Sequence, residues 1–173
     1  MTKFINRLDN NTIAYNQLIG KNVGVVFLSG FNSDMQGKKA LHIGKWAKDN
    51  NHSFLRFDYS GHGQSSGKIE TTCFSDWYQD AEYIINKKTK DKQILIGSSM
   101  GAWIMLMLAK RIPQKISAII GLAPAPDFPK LLIWDKMKRE EKRRLIKNKK
   151  ISIKYEDGSK NDFSYRLIKD SFK

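Results

Sequence analysis

The stretch from Gln93 to Ala109 constrains this chain more than any other, because it joins two kinds of apolar pattern through Gly97-Ser98-Ser99-Met100-Gly101. Ile94, Leu95 and Ile96 make the short apolar run of a buried parallel strand, and Met100 to Leu108 reads as a helix apolar on nearly all sides. Ser99 falls where the two meet. A G-x-S-x-G pattern in that setting demands a sharp strand-to-helix turn, which lifts the serine hydroxyl above the sheet on a strained backbone. Gly97 and Gly101 are expected where any Cβ would collide with a neighbouring chain segment. At a helix N-terminus Ser99 adjoins unpaired N–H groups and the positive end of the helix dipole. It is therefore a candidate nucleophile, with the Met100 N–H a natural donor to an oxyanion. Serines between glycines also occur in ordinary turns, and only the flanking strand and helix favour the catalytic reading.

The rest of the chain supplies a frame for that turn. Lys3 to Leu8 and Thr12 to Ile19 read as two short strands joined by the turn-forming Asp9-Asn10-Asn11, an antiparallel edge. Val23 to Leu28 is an aliphatic inner strand that empties into the glycine-bearing loop Ser29 to Gly37. A helix from about Lys38 to Asn50 follows, with Leu41, Ile43, Trp46 and Ala47 as apolar positions. Ser53 to Asp58 is the next strand, followed by the small-residue loop Tyr59 to Gly67, which marks closely approaching backbones. Phe74 to Lys87 is an amphipathic helix, and Lys115 to Leu122 a further buried strand after Pro113 ends the helix that starts at Met100. Alternating strands and helices imply crossover connections and a mostly parallel α/β sheet with flanking helices.

Ala123-Pro124-Ala125-Pro126-Asp127-Phe128-Pro129 ends the alternation. This divides a core at 1–123 from a lid segment at 124–173, inserted after the sixth strand. The lid reads as an apolar patch at Leu131 to Trp134, a charged helix, a short strand at Lys150 to Tyr155, a turn around Asp157-Gly158 and a last helix from about Phe163. Phe128, Leu132, Ile133 and Trp134 either line a slot for an acyl chain or pack onto the core.

At 173 residues the chain is long enough for one domain with a real core. A single cysteine, Cys73, excludes an internal disulfide and fits a reducing, cytoplasmic compartment. No secretory signal is expected from the first residues, and the longest apolar run, Ala102 to Ala109, is too short to span a bilayer. No cofactor motif or metal-ligand cluster is evident. The net charge of +14 raises nucleic acid or an anionic membrane as partners, and the basic excess gathers between Lys130 and Lys154. No aromatic residues alternate with the charges of Lys136 to Lys150, so nucleic acid is not the expected partner and a solvated helix face is.

Four stretches together resemble one superfamily: Leu28 to Ala40, Arg56-Phe57-Asp58-Tyr59-Ser60-Gly61-His62-Gly63-Gln64-Ser65, Ile96 to Trp103, and Ala123 to Phe128. In order and spacing they are similar to the α/β-hydrolases, and within them to serine hydrolases of the palmitoyl-protein thioesterase and acyl-glucuronide esterase kind. The resemblance implies that Ser99 attacks the carbonyl of an acyl ester or thioester. Backbone N–H groups of Met100 and Phe31 would hold the oxyanion, with Asn32 the neighbouring donor to test. By itself, Gly30 in that loop need only let the chain turn. His62 precedes the serine, whereas this superfamily runs serine, acid, histidine, so a structural loop histidine is expected there.

Proteins of this resemblance continue past the lid into two further strands, the first followed by the catalytic acid and the second by the histidine. Here His42, His52 and His62 all precede Ser99, and Asp127 alone occupies a place where some hydrolases put their acid. Losing triad members costs roughly a millionfold in turnover. The chain is therefore expected to be impaired alone, and to carry an open apolar sheet edge. It would be an N-terminal part of a hydrolase, an inert remnant, or a half-enzyme that pairs its edge with a complementing C-terminal polypeptide.

Overall fold

In a computed structural model the described residues are 1–7, 11–154, 158 and 160–172; the expected turns at Asp9-Asn10 and Asp157, and Leu8 and Tyr155 at two strand ends, lie outside them. Six strands form one sheet in the order β1-β2-β4-β3-β5-β6. The antiparallel edge comprises β1 (Lys3–Asn6) and β2 (Thr12–Leu18), with β2 also antiparallel to β4 (His52–Phe57). The interior is parallel: β3 (Asn22–Leu28) lies between β4 and β5 (Gln93–Ser98), and β6 (Ile116–Leu122) runs beside β5.

Strand alternation sends successive side chains to opposite faces, which explains the two cores. Val25, Phe27 and Ile96 bury against Ala40 and Ala47 of α1 (Lys38–Asp49). Val26, Leu28 and Leu95 bury on the other face with α2 (Phe74–Lys88) and α3 (Met100–Arg111), where Trp77, Ile84, Ile104 and Leu108 are fully enclosed. The helix α3 is less enclosed than its composition implies, since Leu106 and Met107 are exposed.

β6 ends the sheet, and its apolar residues stay in contact with solvent; Ile119 is 42% and Ile120 47% exposed. Residues after β6 form a π-helical turn at Pro129–Trp134, then α4 (Arg139–Asn148), β7 (Lys150–Lys154), β8 (Lys160–Ser164) and α5 (Tyr165–Asp170). The strand β8 corrects the expectation of a helix from about Phe163. Cross-strand pairing with β7, from Lys150 opposite Ser164 to Lys154 opposite Lys160, holds residues of low intrinsic strand preference extended. The helix starts only at Tyr165, where the Ser164 hydroxyl accepts the Leu167 N–H at 3.1 Å.

The segment from Phe128 to Ile168 packs on the α2–α3 face, where Phe128, Ile133, Leu145, Phe163 and Leu167 share a cluster with Trp77 and Trp103. It is tied down at both ends. The Ala125 N–H donates to Ser99 O, and Asp170 accepts from the Ser75 N–H at 2.7 Å and the Ser75 hydroxyl at 2.9 Å at the start of α2. Among the described residues no helix is long and apolar enough to cross a membrane.

Candidate functional site

Ser99 separates β5 from α3 with φ 53° and ψ −118°, a left-handed conformation unusual for a residue with a Cβ. The two glycines are required by contact with backbone. A Cβ on Gly97 would lie 2.5 Å from Ala102 Cα, and one on Gly101 would lie 2.1 Å from Leu28 O. The elbow is further fixed by the Ser99 N–H, which donates to Leu122 O at 2.9 Å. Ser98 and Met100 are buried while Ser99 itself is half-exposed, so the turn presents that one side chain.

The loop after β3 meets the elbow. A Cβ on Gly30 would sit 3.4 Å from Ser99 Cβ and 4.0 Å from its hydroxyl, which puts this loop beside the candidate nucleophile. A cavity of about 240 Å³ lies between them, lined by Ser29, Gly30, Phe31, Lys38, Ser98 and Ser99 among others. A larger hollow of about 920 Å³, lined by Lys21, Asn22, Lys88, Gln93 and Lys115, lies at the opposite ends of the strands. The carboxyl ends of parallel strands are where ligands bind in open α/β sheets, so the smaller cavity is the chemically relevant one.

Within the loop, the Ser33 N–H donates to Gly30 O at 3.2 Å and closes a turn over Phe31-Asn32, with Asn32 at φ 56°. The two sequence-level donor candidates separate here. The Asn32 N–H donates to His62 Nε2 at 3.2 Å, whereas the Phe31 and Met100 N–H groups have no acceptor among the described residues. An acyl oxyanion beside Ser99 could accept from those two amides. Phe31 also touches the segment that follows β6: its ring stacks on Phe163 at 5.4 Å and meets Phe128 at 5.7 Å, and the Asn32 side-chain amide donates to Asn161 Oδ1 at 3.1 Å. Phe128 therefore lies beside the Phe31 turn, while the Trp134 ring meets Phe172 edge-on, lies under the Lys142 ammonium and packs against the cluster that holds Phe128 and Phe163.

Sequence reasoning missed how the His62 loop supports this turn. Asp58 Oδ1 accepts the Met35 N–H at 2.6 Å and Oδ2 the Gln64 N–H at 2.9 Å, so one carboxylate joins the loops after β3 and β4. Burial raises the Asp58 pKa above the usual carboxylate range, and these backbone donors pull it back down. Asp80, raised by burial, accepts the Ser60 N–H at 2.7 Å and pairs with Arg7. His62 flanked by Gly61 and Gly63 was the available signal, because both glycines have positive φ and a Cβ on Gly63 would lie 2.2 Å from Asp58 Oδ2. Ser29 was also missed: its buried hydroxyl has no partner among the described residues and its residue lines the cavity.

The family of serine aminopeptidase S33 hydrolases matches residues 21–169. The chain belongs to that family. It is 42% identical over 124 residues to the mitochondrial palmitoyl-protein thioesterase ABHD10 of Rattus norvegicus and 44% identical to that of Homo sapiens. These alignments cover 72% of this chain but only 42% and 40% of those proteins, so the chain spans well under half the length of the curated relatives it matches. Among solved structures, mouse alpha/beta hydrolase domain-containing protein 10 superimposes with a TM-score of 0.89 at 31% identity, covering 99% of this chain and 69% of that one. A protein of Agrobacterium vitis S4 described as a hydrolase gives 0.91 at 30% identity, with 99% and 71% covered. The sheet and its flanking helices are thus an α/β-hydrolase fold.

None of the three histidines stands as an evident base. His62 is buried with Nε2 engaged by Asn32, His52 bonds Val23 O and stacks on Trp46, and His42 is exposed on α1 beside Leu122. Among the described residues no cluster of metal-ligating side chains occurs.

Proposed function

We propose that this chain carries the nucleophile and oxyanion-binding portion of a serine hydrolase acting on carboxylic esters or thioesters. The observation that carries the reading is the strained Ser99 elbow facing the Gly30-Phe31 turn. Ser99 Oγ attacks the acyl carbonyl, and Phe31 and Met100 N–H groups receive the developing oxyanion charge. Phe128 and Phe163, stacked around Phe31, offer an apolar wall for the acyl chain. The thioesterase names of the relatives support the thioester branch. Turnover is low in this chain alone, since an uncharged serine without a general base is a poor nucleophile. A cytoplasmic setting belongs to the same proposal, supported by the single buried Cys73.

A fluorophosphonate probe tests the reading. Slow labelling that disappears in Ser99→Ala supports it; absence of labelling in both proteins leaves the fold and sinks the activity. The exposed apolar edge at Ile119 and Ile120 favours one second reading, a half-enzyme whose β6 pairs with a separate strand-bearing polypeptide that supplies acid and histidine. Labelling accelerated by mixing with such a polypeptide supports it, and a monomer that stays inert on mixing reduces the chain to a remnant.

A further inference from the structure

Resting on the oxyanion-turn reading above, we infer that His62 is a positioning residue: as a neutral imidazole with a bare Nε2, it fixes the Phe31-Asn32 turn by accepting the Asn32 N–H. The tautomer follows from the donors. A backbone N–H at 3.2 Å from Nε2 requires a lone pair there, so the ring proton is on Nδ1 and donates to Ser60 O at 3.3 Å. That carbonyl also accepts the Trp77 indole N–H at 3.0 Å, and the Ser60 N–H is held by Asp80. The imidazole is therefore anchored to α2 and to the end of β4, and the anchoring reaches the turn through one hydrogen bond.

Its surroundings leave the ring little freedom. It is 4% exposed and meets the edges or faces of Phe31, Tyr59 and Trp77 at centroid distances of 6.2, 5.8 and 5.2 Å. Holding the Asn32 amide orients the preceding peptide, whose N–H is that of Phe31, and keeps Asn32 from competing as a donor. Above the turn, Phe163 and Asn161 press from β8, so the oxyanion donor is clamped between the core and the lid.

Protonation would place an N–H at Nε2 against the Asn32 N–H, and the clamp would open. Burial lowers the His62 pKa below the ordinary histidine value, opposed by the Ser60 carbonyl and by Asp34. The other titratable groups of its surroundings are Tyr59, whose ring meets it edge-on, Asp58, which accepts the Gln64 N–H two residues on, and Asp80 on α2, which holds the Ser60 N–H and pairs with Arg7. A folded pKa below the unfolded one means that the native state favours the neutral ring. The stabilisation is complete above the unfolded histidine pKa, about 6.5, and declines as pH falls from there toward the folded value.

The test is amide hydrogen exchange of Asn32, expressed as protection relative to its intrinsic rate, from pH 8 down to 4.5. In the unaltered chain protection is expected to hold above pH 6.5 and fall below it, while Leu95 and Ile96 in β5 stay protected. His62→Gln, whose side-chain oxygen can replace Nε2 as acceptor, should keep the protection and lose its pH dependence. His62→Leu should lower it about tenfold at every pH, the scale of one lost hydrogen bond. Wild-type protection in His62→Leu, or protection that persists while the His62 ring itself titrates, overturns the inference. If His62→Leu does not fold, the wild-type titration and His62→Gln decide. If the ring stays neutral to pH 4.5, His62→Leu decides. Exchange needs no turnover, so the result stands apart from whether Ser99 reacts with the fluorophosphonate.

Discussion

The two flanks of Ser99 are built to different standards. Toward β3 and β4 the loop backbone is heavily bonded: Asp58 joins two loops, Asp80 holds Ser60, His62 holds Asn32, and Phe31 is stacked by Phe163 of β8. Toward β6 the sheet ends in isoleucines that face solvent, with an apolar hollow of about 410 Å³ beside it lined by His42, Ile43 and Leu122. The first flank is where an oxyanion would be received, and it is organised within this chain. Proton transfer needs a base on the nucleophile, and no histidine in the sequence follows Ser99. Charge stabilisation and proton relay are separable pieces of equipment, and in the function proposed above the loops on the first flank would supply the charge stabilisation.

Substitutions can break that contrast or sharpen it. The largest effect is expected at the elbow shared by both flanks. Gly101→Ala sets a methyl group against Leu28 O and Ser29 O, which are backbone atoms that cannot swing aside, and should cost more than about 3 kcal/mol in urea unfolding. Next comes Asp80→Ala on the organised flank, which removes the buried carboxylate paired with Arg7 and takes the acceptor from the Ser60 N–H; it should cost about 3 kcal/mol in the same experiment. Smallest is Ile120→Lys on the open flank, expected to shift stability by no more than about 0.5 kcal/mol because the position is solvated. A loss at Ile120 as large as that at Asp80 would mean that the edge is covered in solution, and the contrast would fail.

How much of this was legible in the sequence depended on whether a signal was local. The elbow was, since a strand period, a G-x-S-x-G turn and a helix period coincide within Gln93 to Ala109, and the glycine contacts bear out the steric argument. The open edge was expected from the two strands that proteins of this resemblance place after that segment; among the described residues β6 is the last strand of the sheet, with Ile119 and Ile120 exposed. The strand β8 was not legible, because Lys160, Asn161 and Asp162 have no strand preference of their own and are extended by pairing with β7. Nor was the choice between Phe31 and Asn32, which rests on a hydrogen bond across 30 positions to His62. The histidine could be read as something other than a base from its place in the chain, but its partner could not.

The two ties on the segment after β6 have a mechanical consequence. With Ala125 fastened to the peptide of Ser99 and Asp170 fastened to the first turn of α2, the intervening chain is a strap buckled at both ends rather than a flap on one hinge. Loosening either buckle would slacken the strap where Phe163 and Asn161 rest on the Phe31-Asn32 turn. Tension in that strap and the aim of one backbone amide beside Ser99 are then parts of a single linkage.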